Sequence, residues 1–344
     1  MPFSATMTRV HAPSPSHPWH LLQGAMLLAT LAFLVAVWLS PEPSLSLFWG
    51  VVVPVLPFTF LVTPLLWRGV CPLATLNMLA NTPGGRRLPS RVSRWAGAPA
   101  MLALFVLVPA RHFAFNVRGE ALALLVVGAA VAAVVLGRRY EARAGFCNYL
   151  CPVLPVEQLY GLQPSIAVDN PRCATCSACT PRGCLDNARS KAVAQLLGPA
   201  RRGRGWLLSA FGLFAIAFPG FVYGYFNVSD AEASAAWTIY AHMLEHALQS
   251  AALFGTLIFI SGATAALALP LLSATAAGTY YWYAVPVILK ALHVLSPAAT
   301  LGGRVVVAVF LAWWLQRALR LTAREARTTG TPESSRELPT LVVD

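Results

Sequence analysis

The cysteines of this chain fall into two groups whose spacing suits a metal centre. The tighter group lies in "CATCSACTPRGC" and contributes four thiols, Cys173, Cys176, Cys179 and Cys184. Three cysteines at two-residue intervals are the ferredoxin arrangement for a [4Fe-4S] cluster, whereas structural zinc usually takes two C-x2-C pairs separated by a long spacer. The spacing favours an iron–sulfur cluster over zinc or a purely structural group of thiols. It departs from the bacterial ferredoxin run, because four residues separate the last two cysteines and no proline follows.

The second group lies in "FCNYLCPVLPVEQLYG", where Cys147 and Cys151 are four residues apart and a proline follows the second. An earlier segment, "WRGVCPLATLNMLA", has the same Cys-Pro pair at Cys71, with Trp67 standing where the second copy has Cys147. Proline stops a helix and fixes the turn. The sequence therefore predicts a two-helix hairpin that ends in a Cys-Pro turn and is used twice.

The role of these three cysteines stays open. The simplest alternative for Cys147 and Cys151 is a helix end with spare thiols. Two complete cubane clusters need four thiolates each, and the chain has only seven cysteines. One cubane plus a three-cysteine site, a [3Fe-4S] centre, and a non-cysteine ligand such as Asp186 all fit. Cys151 and Cys71 could also exchange ligands with the 173–184 group.

The elements that position these residues are those of a membrane protein. Of the 344 residues, 57% are hydrophobic and 11% are charged, and the mean hydropathy is +0.62. Such a composition predicts an all-α, polytopic transmembrane helical bundle. About eight spans are expected, at 21–39, 47–67, 95–112, 119–137, 206–226, 237–258, 280–297 and 304–320. Residues 259–279 are also apolar, so the sixth span could run on to about Leu269. A count of nine spans is the weaker alternative.

The positive charge indicates topology rather than nucleic-acid binding. With both termini in the cytoplasm, all of the 25 Lys and Arg residues except Arg111, Arg118, Lys290 and Arg304 fall on the cytoplasmic side. Cytoplasmic loops carry such an excess, and no folded basic module is left for nucleic acid. All seven cysteines lie on the same side, where the reducing cytoplasm favours metal or redox chemistry over disulfides.

The predicted organisation has five parts. A cytoplasmic tail covers 1–20, and the first apolar run reads as a signal anchor. The first four spans, with the Cys-Pro repeat, cover 21–137. A cytoplasmic iron–sulfur loop covers 138–205, four further spans cover 206–320, and a disordered cytoplasmic tail covers 321–344.

Three segments together resemble the NapH/NosR/CcoG-type polytopic membrane iron–sulfur proteins. They are the Cys-x3-Cys-Pro segment "CNYLCPVLPVE", its degenerate copy "WRGVCPLATLN" and the run "CATCSACTPRGC". The resemblance covers about residues 45–190. It implies electron transfer between the quinone pool or cytoplasmic donors and partners in or across the bacterial inner membrane. The chain departs from that family's usual pattern, which has two full Cys-x3-Cys-Pro motifs and often two ferredoxin runs.

Histidines in the C-terminal half form a second candidate site. "YAHMLEHALQ" places His242, Glu245 and His246 on one helical face with Gln249, and ionisable groups inside a span usually face the bundle interior or a cavity. His293, three residues after Lys290, and His112 are expected at the same, non-cytoplasmic level. Imidazoles there suit a b-type haem or another metal, a quinol site with proton acceptors, or simple interfacial hydrogen bonding. An inverted zinc-protease pattern and a Glu245–Lys290 charge pair are further alternatives.

Three functions follow from these patterns. The favoured one is a membrane electron-transfer protein that links cytoplasmic [4Fe-4S] chemistry to a quinol, haem or partner protein. The second is a membrane metalloenzyme whose histidines 242, 246 and 293 receive electrons from the clusters. The third is a metal sensor or transporter. Whether the chain is itself an enzyme or a component of an oxidoreductase system is left open.

Overall fold

The computed structural model describes residues 10–11, 17–81, 86, 97–140, 145–166, 168–169 and 204–329. Within these ranges the regular secondary structure is helical, apart from a two-residue parallel pairing of Val10–His11 with Val168–Asp169 and a single bridge between Arg86 and Tyr140. The ferredoxin-like cysteines at 173–184 and the tail beyond 329 lie outside the described residues.

The N-terminal half contains two helical hairpins. The first hairpin consists of α1 (His17–Leu39), followed by α2 (Pro41–Leu47) and α3 (Val53–Val62), which a π-helical turn at Phe48–Val52 joins into one rod. Thr63 is extended because the residue before a proline disfavours the helical conformation, and the short helices α4 (Pro64–Val70) and α5 (Pro72–Leu79) follow. The second hairpin consists of α6 (Ala98–Ala110), a π-helical turn at Arg111–Phe115, α7 (Gly119–Arg139) and the short α8 (Leu154–Tyr160).

The C-terminal half contains four long helices. A 3₁₀ turn at Gly205–Leu208 leads into α9 (Ala210–Phe226), and another at Ala233–Ala235 leads into α10 (Ala236–Ser261). Gly262, in the left-handed conformation that favours glycine, ends α10. α11 (Ala265–Ala291) and α12 (Pro297–Thr329) complete the fold. The main core lies around α9, whose buried side chains include Phe211, Phe214, Phe218 and Phe221.

Six helical segments of the described chain are long and apolar enough to cross a membrane. The protein is therefore a helical, multi-pass membrane protein, as the sequence predicts. Two of the eight predicted spans do not meet this criterion: α9 has only 17 residues, and the Ala- and Tyr-rich α11 is not among the six. The six segments are Trp19–Leu39, Pro41–Val62, Ala98–Phe115, Gly119–Arg139, Ala233–Ser261 and Pro297–Ala323.

Several predicted boundaries are wrong. The second span begins at Pro41, because proline is well placed in the first turn of a helix. The sixth does not run on to Leu269, since it ends before Gly262. The seventh occupies Ala265–Ala291 rather than 280–297, so the apolar stretch after α10 is its first half and not a ninth span. The last helix continues to Thr329, into the tail that was predicted to be disordered from residue 321.

Part of the predicted iron–sulfur loop is not an open loop. Leu154, Leu159 and Tyr160 of α8 are each 1% exposed, and α8 packs against α3 and α11. Ser273 of α11 donates a hydrogen bond to the Leu159 carbonyl at 3.2 Å. The second Cys-Pro turn is therefore anchored inside the bundle from its C-terminal side.

Candidate functional site: the paired Cys-Pro turns

The first Cys-Pro turn joins two short helices. Cys71 follows the last residue of α4 and precedes Pro72, the first residue of α5. Its backbone angles (φ −57°, ψ 123°) leave the helical region, as the following proline requires. The Cys71 amide still donates to the Trp67 carbonyl at 2.8 Å. The thiol is thus held at a rigid corner and is half-buried.

The second Cys-Pro turn is a tight run of turns that begins where the described chain resumes at Gly145. The amides of Leu150 and Cys151 both donate to the Phe146 carbonyl at 2.9 Å. The Cys151 carbonyl accepts from the Leu154 amide at 3.0 Å, where α8 begins. This folding brings Cys147 and Cys151 to neighbouring corners of one turn, and both are half-buried.

The two turns are held together because each copy packs its short helix on the span of the other. In one direction α5 lies along α7: Asn77 donates to the Ala133 carbonyl at 2.8 Å, and Asn81 donates to the Gly137 carbonyl at 3.1 Å. A side chain at Gly137 would collide with the Asn77 backbone. The approach is close enough to require glycine.

In the other direction α8 and the residues after it lie on α3. The amides of Ser165 and Ile166 donate to the carbonyls of Leu61 and Val62, both at 2.9 Å. A side chain at Gly161 would collide with the Pro64 ring. The repeat predicted from sequence is therefore also an exchange of short helices between its two copies.

A buried ion pair crosses between the copies. The Arg68 Nε donates to Glu157 Oε1 at 2.5 Å, and the side chains are 5% and 7% exposed. Arg68 stands three residues before Cys71, and Glu157 stands six residues after Cys151. In the other copy of the repeat, Asn148 stands at the position of Arg68 and Asn77 at the position of Glu157. Both asparagines are also buried. Sequence reasoning missed this pair, although the register of the repeat would have aligned all four polar positions.

Cys151 lies within electrostatic reach of both Cys147 and Cys71. Burial raises the pKa of the Cys151 thiol well above its ordinary value, and repulsion from Cys147 and Cys71 acts in the same direction. A deprotonated cluster of thiolates there needs a compensating cation, which is the condition a bound metal centre supplies. Within the described residues, however, no group of three or more His, Cys, Asp or Glu side chains has metal-binding geometry. The four cysteines at 173–184 are not described.

His112 belongs to a polar cluster at the other end of the bundle. Its Nδ1 lies 2.6 Å from Asp230 Oδ1, and its ring is buried against Tyr225. Asn116 donates to both Asp230 oxygens, at 2.9 and 3.0 Å. Arg111 bonds Asn116 at 2.6 Å and lies over the Trp49 ring. Sequence reasoning found His112 but missed Asp230, which is 118 residues away in the loop before α10.

The chemistry of this pair follows from its hydrogen bond. To donate to a carboxylate, His112 must carry a proton on Nδ1, so in the neutral ring Nε2 presents a lone pair. That nitrogen is buried and has no hydrogen-bond partner among the described residues. A histidine that binds a metal or accepts a proton at one ring nitrogen usually donates a hydrogen bond to a carboxylate from the other. An open groove of about 440 Å³ begins at Asp230 and is lined by Phe113, Arg118 and Glu232.

The predicted histidine face on α10 is present but does not point into the core. His242 and His246 are half-buried with ring centroids 4.6 Å apart, whereas Glu245 and Gln249 are exposed. The core-facing residues of α10 are instead Met243, Ala247 and Ser250. The expectation that ionisable groups on this helix face the bundle interior is wrong for Glu245.

His293 does not join the other histidines. It lies in a turn after α11 with φ +59° and is exposed, as is Lys290. α9 packs against both α10 and α11 and stands between them. Within the described chain, Glu245 bonds Gln249 and forms no ion pair with Lys290. The histidines thus divide into His112 with Asp230, His242 with His246, and His293 alone.

Comparison with protein-family models, curated proteins and solved structures finds no match to this chain.

Proposed function

We propose that the chain is a membrane-bound iron–sulfur electron-transfer protein. Cytoplasmic-side [4Fe-4S] chemistry exchanges electrons with a quinol, a haem or a partner protein near the opposite face. The chain then acts as a component of an oxidoreductase system, in the manner of the NapH/NosR/CcoG-type proteins that its motifs resemble.

The meeting of the two Cys-Pro turns carries this proposal. Cys71 and Cys151 are 80 residues apart in sequence, yet a buried ion pair and two exchanged short helices bring their turns to one end of the bundle. Thiolates are the ligands that iron–sulfur clusters require. The ferredoxin-like run begins at Cys173, only 22 residues after Cys151. The three described cysteines therefore lie at one end of the bundle, and the other four follow Cys151 within 33 residues of sequence.

The proposed topology has eight crossings with both termini in the cytoplasm. The six segments long enough to cross are joined by α9 and α11, which both contribute to the main core. The buried residues of α9 are mostly apolar. A helix of 17 residues can therefore cross where neighbouring helices shield its ends. This topology puts all cysteines on the cytoplasmic side and His112 toward the opposite side of a bacterial inner membrane.

The second redox site is proposed at His112 with Asp230. The lone pair on His112 Nε2 can accept a proton from a quinol or bind a haem iron, and Asp230 would stabilise the charge that develops on the ring. The metalloenzyme alternative needs His242, His246 and His293 together, which the geometry disfavours. The sensor alternative rests on the same cysteines and predicts bound zinc in place of iron, and the transporter alternative rests on the polar face of α10, where Glu245 is exposed.

Spectroscopy of anaerobically purified protein tests the proposal. We expect a dithionite-reducible iron–sulfur signal by EPR, loss of that signal in Cys176→Ser, and its retention in the neighbouring control Ser177→Ala. Bound zinc without iron, or a full signal in Cys176→Ser, would overturn the cluster assignment. A Soret band that disappears in His112→Ala would identify haem at the second site, and bound quinone without a Soret band would identify quinol chemistry.

A further inference from the structure

α10 presents a polar stripe to the outside of the bundle. The stripe consists of His242, Glu245, His246 and Gln249. The adjoining face of α10 packs tightly on α9, where Ser250 donates to the Ile216 carbonyl at 2.8 Å and Gly220 lies against the His246 backbone, so the half-buried His242 and His246 form the inner edge of the stripe. The orientation of the helix is therefore fixed, and Glu245 and Gln249 stay outward.

The stripe lies deep in the membrane. The segment Ala233–Ser261 has 29 residues and is about 43 Å long at 1.5 Å per residue. Glu245 and Gln249 lie about 18 and 24 Å from its start. Both are well inside a hydrocarbon core that is about 30 Å thick. Neither residue can reach water as readily as a side chain at a helix end.

The stripe satisfies only part of its own hydrogen bonding. Gln249 donates to Glu245 Oε1 at 3.0 Å, and its own oxygen lies 3.1 Å from His246 Nδ1. A carboxylate has about four acceptor positions, and one bond leaves most of them open. The buried His242 Nε2 also has no partner among the described residues. Exposing the Glu245 carboxylate and the Gln249 amide to lipid costs several kcal/mol, so another surface must cover them.

We propose that a second copy of this chain covers the stripe, through a parallel pairing of two α10 helices about a two-fold axis. A two-fold axis brings each stripe against its own image, so the covering surface has to be self-complementary. The stripe meets that condition, since it holds an acceptor in Glu245, donors in its imidazoles, and both in Gln249. Polar groups of this kind bind helices together in membranes.

The exposed face continues below the stripe with the spacing that helix pairing requires. His242, His246, Gln249, Leu253, Thr256 and Ile260 follow one another at alternating intervals of four and three residues. Leu253 and Ile260 are 58% and 74% exposed. A 3–4 repeat forms a continuous seam along a helix. Two copies can therefore pair along most of α10, with polar contacts in its first half and apolar contacts in its second.

The mass of the protein in native lipid particles tests the dimer. We expect wild type at about twice the chain mass of 36.8 kDa, and the double variant Glu245→Leu with Gln249→Leu at the monomer mass. Leu248→Ala is the matched control, because Leu248 is 61% exposed on α10 but points away from the seam, and it should remain dimeric. The leucine substitutions face lipid in a monomer and should not impair folding, which the thermal midpoint of each variant checks.

Crosslinking gives an independent measurement. A benzoylphenylalanine at position 249 should yield a crosslinked dimer, whereas one at position 248 should not. A monomeric wild type, a dimer that survives the double substitution, or equal crosslinking from both positions would overturn the proposal. Each outcome is independent of cluster content and leaves the proposed electron-transfer function to its own test.

Discussion

Replacing Glu157 by glutamine tests whether the buried ion pair holds the two Cys-Pro turns together. Both partners are almost fully buried and their nitrogen and oxygen are 2.5 Å apart. Breaking a buried ion pair by removing one of its charges costs about 3–5 kcal/mol. Glutamine keeps the volume and one acceptor, so we expect about 3 kcal/mol. At roughly 2 °C per kcal/mol for a large domain, the thermal midpoint should fall by about 6 °C.

The measurement is a double-mutant cycle on purified protein in detergent. Glu157→Gln, Arg68→Met and the double variant are compared by thermal unfolding, with Glu232→Gln as the control because Glu232 is exposed. The double variant leaves no unpaired charge, so it should be more stable than the sum of the single changes implies, by at least about 2 kcal/mol. The control should change stability by less than about 0.5 kcal/mol.

Two results would refute the reasoning. A Glu157→Gln midpoint equal to that of the control would mean that the pair contributes nothing to stability. Strictly additive effects in the cycle would mean that Arg68 and Glu157 act through other neighbours. Cluster content of the same variants shows whether the turns need this pair to present their thiols, and we expect it to fall in both single variants.

Two further predictions concern helix packing and the outer polar cluster. Gly220→Ala should destabilise the protein by about 1–3 kcal/mol, because its methyl group would meet the His246 backbone and Ser250; Gly128→Ala, with no atom within 4 Å, should be neutral or slightly stabilising in the same unfolding assay. For Asp230, burial alone would raise the pKa, but hydrogen bonds from His112 and Asn116 and the nearby positive charge lower it overall. The unfolded chain therefore binds the proton more tightly, and stability is lost as pH falls below the ordinary aspartate pKa of about 3.9. Asp230→Asn should flatten the acid limb of the midpoint-against-pH curve, and an unchanged limb would contradict this.

The helical class and most spans could be predicted from the sequence, because long apolar runs leave a membrane protein few alternatives. The Cys-Pro turns could be predicted too, since proline acts locally. The boundaries of α11 could not: its alanines, tyrosines and internal prolines carry no clear apolar period, and packing against α9 and α12 decides where it runs.

Contacts between polar residues that are far apart in the sequence could not be predicted either. Arg68 and Glu157 are 89 residues apart, and single-residue properties do not indicate which charges will meet. The prediction of how α10 is oriented was wrong for a different reason. The rule that ionisable groups face inward applies to a complete assembly, whereas Glu245 is exposed in the single chain. An exposed Glu245 inside a span therefore indicates that another surface covers this part of α10.

The exchange of short helices has a consequence for biogenesis. α5 is synthesised well before α7, the helix it packs against, and the Leu61 and Val62 carbonyls cannot accept from Ser165 and Ile166 until those residues emerge. The first Cys-Pro corner therefore cannot reach its final form while the chain is still short. Domains generally fold during synthesis from the N-terminus, but here the N-terminal hairpin must wait for the second. Any metal centre at these turns would then be loaded late, after both hairpins are inserted in the membrane.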